Sequence, residues 1–262
     1  MARRFINESI TMKSLKGKSA VVIGASSGVG LATVKRLVSE GVSVVAVARG
    51  RDGLDALAAA CDGAVRTVQA DATDSSTAEW LLREHKPQLV VLAAGVRPPM
   101  GTLDEFSWEA FSIPWNADTQ AAFHLLKAAL TLPLATGSTV AIVSSGAAVA
   151  GSPLSGGYAG AKRMQWFMAG YAQEVSDAKK LGIRFFAVLP RQLIEGTEIG
   201  ATAAANYGAA QGLSAAEFLK RRWKVPLSAD KVGAAIVAGL QGDLADGVAA
   251  VGVTGEGVEP LG

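Results

Sequence analysis

The chain has 262 residues, half of them hydrophobic and 18% charged, with a net charge of +2. That length holds one large α/β domain with a sizeable core, and the low charge density points to surface buried in an oligomer. A near-neutral balance with no long basic run excludes nucleic acid and anionic membrane as default partners. The single cysteine, Cys61, excludes an internal disulfide and fits a reducing, cytoplasmic compartment. No apolar run reaches the roughly 18 residues of a membrane span, and Arg3-Arg4 is not followed by the apolar segment of a secretory signal. His85 and His124 are isolated, so no metal site is expected.

In chain order, residues 1–16 read as an extension ahead of a first strand at 19–23. That strand runs into Gly24-Ala25-Ser26-Ser27-Gly28-Val29-Gly30 and then an apolar helix at 28–40. Glycines at this spacing permit a tight turn and a close approach of backbone N–H groups to an anion. The helix start adds unpaired N–H groups and the positive end of its dipole. Strand, glycine turn and helix together mark a dinucleotide pyrophosphate site, with Gly24, Ser26, Ser27, Gly28, Val29 and Gly30 as its loop. The second strand, 42–48, ends in Ala48-Arg49 where an NAD site usually carries an acid for the ribose 2′-hydroxyl. A guanidinium there suits a 2′-phosphate instead, so NADP(H) is the expected cofactor.

A helix at 52–61, a strand at 64–68, a helix at 75–86 and a strand at 89–93 follow. A long helix is expected at 106–131, then a strand at 139–143, a helix at 157–180 and a strand at 183–189. Continuous Val/Ile/Ala character marks these strands as parallel and covered on both faces. Residues 192–228 break the alternation with helical pieces near 199–206 and 214–222. An excursion after the C-terminal end of a strand is placed to be a substrate lid. A helix at 229–240 and a last strand at 247–253 close the chain. The fold expected is α/β, a Rossmann-type doubly wound parallel sheet of about seven strands, forming one domain over 17–262.

Across about 17–253 these features resemble the short-chain dehydrogenase/reductase family. The Gly24-x-x-x-Gly28-x-Gly30 spacing is similar to its phosphate loop, and Asp71 stands where the family has an aspartate beside the adenine. Tyr158-x-x-x-Lys162 matches its central motif, Ser145 precedes the tyrosine at a common spacing, and Asn116 lies in the helix that carries the family's fourth catalytic residue. The resemblance implies an NADP(H)-dependent oxidoreductase interconverting a ketone or other carbonyl and a secondary alcohol, with Asn116, Ser145, Tyr158 and Lys162 catalytic. It also places Ala72, Ala94, Gly95, Pro190, Leu193 and Thr197 at the cofactor, beside Tyr158 and Lys162.

The chemistry accounts for the residue types. Reduction needs a proton for the developing alkoxide, and free tyrosine ionises at a pKa of roughly 10. Lys162 lies one helical turn beyond Tyr158 on the same face, where its ammonium stabilises a tyrosinate. By the resemblance, Lys162 also holds the nicotinamide ribose, Ser145 orients the substrate oxygen, and Asn116 holds a water linking Lys162 to solvent.

Departures from the family pattern are equally plain. Its usual Asn-Asn-Ala-Gly reads Leu92-Ala93-Ala94-Gly95, its Pro-Gly reads Pro190-Arg191, and Thr197 is displaced by about two positions, leaving Glu195 as a possible neighbour of the nicotinamide. Two other readings stand beside the leading one. A 3-oxoacyl thioester reductase shares the apparatus and would use Arg163, Arg221, Arg222 and Lys224 for an acidic carrier. A non-catalytic NADP sensor or scaffold would fit the altered motifs. The partners expected are a small apolar carbonyl or alcohol and further copies of the chain, as a homotetramer or homodimer.

Overall fold

A computed structural model describes residues 13–132, 134–242 and 249–261. The chain alternates β1 (Ser19–Ile23), α1 (Gly28–Ser39), β2 (Ser43–Ala48), α2 (Arg51–Ala60), β3 (Val65–Gln69), α3 (Ser75–His85) and β4 (Leu89–Leu92). It continues through α4 (Trp108–Pro114), α5 (Gln120–Thr131), β5 (Thr139–Val143), α6 (Ala147–Ala150), α7 (Tyr158–Ala178) and β6 (Arg184–Pro190). Then come β7 (Ile194–Glu195), α8 (Glu198–Ala209), α9 (Ala215–Arg222), β8 (Leu227–Ser228), α10 (Ala229–Gln241), β9 (Ala250–Val253) and β10 (Val258–Leu261).

Eight strands form one sheet in the order β10-β9-β6-β5-β4-β1-β2-β3. Seven are parallel, and β10 runs antiparallel to β9. The strands are buried on both faces because helices cover both: every residue of β4, β5 and β9 is buried. One layer of core packs Val34, Leu37, Leu54, Val232 and Ile236 of α1, α2 and α10 onto the sheet. The other packs Leu81, Leu125, Ala129, Ala169 and Ala172 of α3, α5 and α7. Strand order reverses between β1 and β4, which opens a crevice at their C-terminal ends where such sheets bind ligands.

Two differences from the expected elements have physical causes. The long helix expected at 106–131 is divided into α4, a π-helical turn at Trp115–Thr119 and α5. Pro114 closes α4, having no N–H to continue the ladder, and the wider π turn rotates the residues that follow. The additional edge strand β10 is mostly exposed, so it lacks the apolar run that marks a buried strand, and Pro260 is tolerated because the strand lies at the sheet edge. Of the stretch read as an extension, 1–12 lies outside the described residues; Leu15 is fully buried, and the Lys13 N–H donates to the Gln241 carbonyl at 3.1 Å. The strand expected at 247–253 is seen at Ala250–Val253, and 247–248 lie outside the described residues.

The excursion at 192–228 is tied at its base, where β7 pairs with β8 through Ile194↔Leu227 and Glu195↔Ser228. Between these ends α8 and α9 pack on each other through Tyr207 and Phe218, stacked with ring centres 6.2 Å apart. A capping box of Ser214 and Glu217 starts α9.

Candidate active site

A cleft of about 970 Å³ runs along the C-terminal ends of the parallel strands, under the 192–228 excursion. Its floor is the turn between β1 and α1. Gly24 has a φ of +87° and lies so close to the backbone of Ala93 and Ala94 that a side chain there would strike it. Gly30 is held equally close to the Gly24 carbonyl, which packs the first turn of α1 onto the loop. Ser27, the N-cap of α1, makes no side-chain bond to the helix, so its opening N–H groups remain available to an anion. The residues present therefore fit a dinucleotide pyrophosphate: a close backbone cradle at the start of a twelve-residue helix.

At the adenosine end, Ala48, Arg49, Asp71 and Ala72 line the cleft. Asp71 accepts from the Thr73 N–H at 2.9 Å and the Thr73 hydroxyl at 2.8 Å. These bonds, with help from the nearby Arg49 charge, hold its carboxyl below the usual aspartate range. Arg49 is exposed at the end of β2.

At the other end, Ser145, Tyr158 and Lys162 line the same cleft. Tyr158 is the first residue of α7, and the Lys162 ammonium sits 5.5 Å from its ring centre. The two adjacent serines divide their work. Ser144 is buried and donates to the Lys162 carbonyl at 2.7 Å, fastening β5 to α7. Ser145 Oγ accepts only from the Ala147 N–H at 3.2 Å among its side-chain bonds to described residues, and it faces the cleft.

Asn116 does not reach the cleft. It is exposed on the π turn, and its amide donates to Ser112 Oγ at 3.2 Å. Two residues on, Asp118 occupies that ground, 1% exposed. Its Oδ2 pairs with Lys162 Nζ at 2.9 Å and its Oδ1 accepts from the Val96 N–H at 2.9 Å. Gln165 closes the circuit: its Oε1 accepts from Lys162 Nζ at 3.1 Å and its Nε2 donates to the Asp118 carbonyl at 2.9 Å. Burial penalises the Lys162 ammonium, but Asp118 and Tyr158 outweigh that penalty and hold it above the ordinary lysine value. A periodicity signal for Asp118 existed, since the buried face of α5 at Ala121, Ala122 and Leu125 extends back by one turn to 118 and not to 116.

The remaining expected cofactor residues fall where the cleft passes the end of β6. Ala94, Gly95, Pro190, Leu193 and Thr197 line it. Thr197 spends its hydroxyl on capping α8, accepting from the Gly200 N–H at 3.1 Å, while its methyl lies over Gly28. Arg191 ties the turn after β6 to the edge strand through Glu259 at 2.7 Å. Glu195 is exposed in β7 and does not line the cleft. Tyr207 was not anticipated; its hydroxyl bonds Ser152 at 2.8 Å and the Leu154 N–H at 3.3 Å, closing α8 onto the loop before α7.

Among the described residues no helix is long and apolar enough to cross a membrane. Residues 18–207 match the family model described as short chain dehydrogenase. The chain is similar to L-xylulose reductase of Mesocricetus auratus, 35% identical over 131 residues covering 50% of this chain and 53% of that protein. It is also similar to 2,5-dichloro-2,5-cyclohexadiene-1,4-diol dehydrogenase of Sphingobium indicum, 28% identical over 186 residues, 68% of this chain and 74% of that one. The match thus spans little more than half of the first of these relatives. Among solved structures, an NAD+-bound xylitol dehydrogenase superposes with a TM-score of 0.79 at 18% identity, over 93% of this chain and 100% of that one. A levodione reductase gives 0.78 at 22% identity, over 92% and 97%.

Proposed function

The chain belongs to the short-chain dehydrogenase family, and from that premise we propose that it interconverts a small apolar ketone and its secondary alcohol using NADP(H), with Tyr158 carrying the proton. The observation that carries this reading is the convergence of Ser145, Tyr158 and Lys162 on the cleft whose floor is the glycine turn after β1. When bound, the nicotinamide supplies or takes up the hydride. Ser145 offers a hydrogen bond to the substrate oxygen, and Tyr158 delivers the proton as charge develops there. Lys162 holds the ribose next to Tyr158. Val96, Met100, Ala147, Tyr207, Phe218 and Trp223 line the substrate end, which favours an apolar carbonyl compound over a sugar phosphate. NADPH consumption over a panel of aliphatic, alicyclic and aryl ketones, aldehydes and 3-oxoesters tests the reading. Turnover with an apolar ketone is the expected result; intact NADPH binding with no turnover across the panel contradicts it.

Cofactor choice rests on Arg49 lining the cleft with no acid at Ala48. A charge-assisted contact to the 2′-phosphate contributes about 1.5–3 kcal/mol, roughly ten- to a hundredfold in affinity. Arg49→Ala should erode the preference for NADPH by that factor, and Ala48→Asp should reverse it. Equal Kd values for NADPH and NADH in the unmodified protein contradict the assignment.

The apolar residues left on the outer face of α4, the π turn, α5 and α7 support self-association. Trp108, Trp115, Phe123, Phe167 and Tyr171 are exposed, and Phe167 stacks on Tyr171 at 6.2 Å. Ala161 lies fully buried on the inner face, whereas Gly170 opens on free space. Light scattering should give a dimer or tetramer at micromolar concentration, and Phe167→Glu should shift it toward monomer; a monomeric unmodified protein contradicts the reading.

A further inference from the structure

The mechanism above uses Lys162 but leaves its buried partner without a role. The Asp118 carboxylate is almost sealed from solvent, and both of its oxygens are engaged, one by Lys162 and one by the Val96 N–H. A carboxylate accepts on both sides, whereas an asparagine would turn its NH2 group toward either the ammonium or the Val96 N–H, donor against donor. The site is built for an anion. It lies directly beneath the cofactor end of the cleft: a Cβ on Gly95 would come within 3.3 Å of both Asp118 Oδ2 and Lys162 Nζ.

We propose that Asp118 is a positioning residue whose carboxylate fixes Lys162 and cancels its charge beside Tyr158, so that the tyrosine hydroxyl does not face a full positive charge. The proposal rests on the reading of Tyr158 as the proton carrier. A lone ammonium near the Tyr158 ring acts as a full positive charge, which favours loss of the hydroxyl proton. With a carboxylate 2.9 Å behind it, the tyrosine faces a dipole instead, whose influence falls off faster with distance. The closed hydrogen-bond circuit through Gln165 keeps that dipole in one orientation. The third ammonium hydrogen is left for the cleft.

Other charged groups on the surrounding elements are engaged elsewhere. Arg97, on the loop after β4, pairs with Glu198 at the mouth, 2.8 Å apart. Arg191, after β6, pairs with Glu259. Arg163, on α7, lies over the Trp166 ring at 4.2 Å and the Phe167 ring at 4.6 Å. The electrostatic neighbours acting on Lys162 are Asp118 and Tyr158.

The test needs no substrate. The chain has three tyrosines, and the ultraviolet tyrosinate band, titrated with and without Tyr158→Phe, isolates the Tyr158 contribution by difference. In Asp118→Asn the midpoint of that contribution should move to lower pH by about one unit or more, since the neighbouring cation is no longer opposed. Asp118→Ser, with a hydroxyl to accept the Val96 N–H, carries the same expectation if the amide variant does not fold. An unmoved midpoint means the pair does not set the charge at Tyr158. A midpoint shifted to higher pH means the carboxylate serves to keep Lys162 charged. Either result overturns the proposal. Turnover of Tyr158→Phe is read separately: if it is retained, the catalytic reading of Tyr158 falls, whatever the titration gives.

Discussion

Tyr158→Phe is expected to lower turnover by ~100- to 10,000-fold, the usual contribution of a general acid or base, while leaving NADPH affinity nearly unchanged. Tyr158 lines the cleft at the start of α7, whereas in the proposed reading affinity for the cofactor comes from the glycine turn after β1, from Arg49 and from Lys162. Phenylalanine preserves the ring over which the Lys162 ammonium sits at 5.5 Å, so packing is retained and the chemistry alone is removed. Initial rates with the best ketone of the panel and a separate NADPH titration check the two halves of the expectation. A variant that keeps more than about a tenth of the activity, against that ~100-fold loss, would mean that the proton comes from another group.

Lys162→Met should be the costliest single change to the fold. The substitution keeps much of the stem but leaves the Asp118 carboxylate buried without its cation. Removing one member of a buried pair typically costs about 3–5 kcal/mol, a fall in Tm on the order of 10 °C for a domain of this size. Adding Asp118→Asn should restore much of the loss, because no charge then remains buried. Denaturant unfolding of the two single variants and the double variant measures the coupling. A loss below about 1 kcal/mol would place the pair in the class of hydrated surface bridges, contrary to its burial. In the unmodified protein the sign of the pH dependence follows from the raised pKa of Lys162. Its stabilisation is fully present below the ordinary lysine value of about 10.4 and is lost only as pH rises through the higher folded value.

The parallel sheet was legible because strands covered on both faces must be apolar nearly throughout, as in Ala20–Val22 within β1 and Val140–Val143 of β5. The glycine turn was legible because backbone contact at Gly24 and Gly30 leaves no room for a side chain. That Ser145, Tyr158 and Lys162 converge on the cleft was legible because two lie one turn apart on one helix and the third follows a buried strand by two residues. Asp118 carried only the periodic signal of α5, and its place beside Lys162 depends on the π turn between α4 and α5, which adds a residue to the helical count. Asn116 carries a chemically suitable side chain on the outer side of that turn, and the position facing Lys162 belongs to the residue two places on. Nor could β10 be read: Val258–Leu261 is an exposed edge strand containing a proline, and only its pairing with β9 makes it part of the sheet. The role of Arg191 depended on the same strand, since its partner Glu259 lies there.

The central claim is that this cleft passes a hydride between NADP(H) and a carbonyl carbon while the chain handles the proton. Isotope transfer measures it most directly. NADPH deuterated at the reactive nicotinamide carbon is supplied with a ketone that the panel shows to be consumed, and the alcohol product is examined by mass spectrometry. One deuterium at the carbinol carbon, transferred to a single face and absent with Tyr158→Phe, is the result this account predicts. Ketone consumption that yields alcohol without deuterium at that carbon would contradict it.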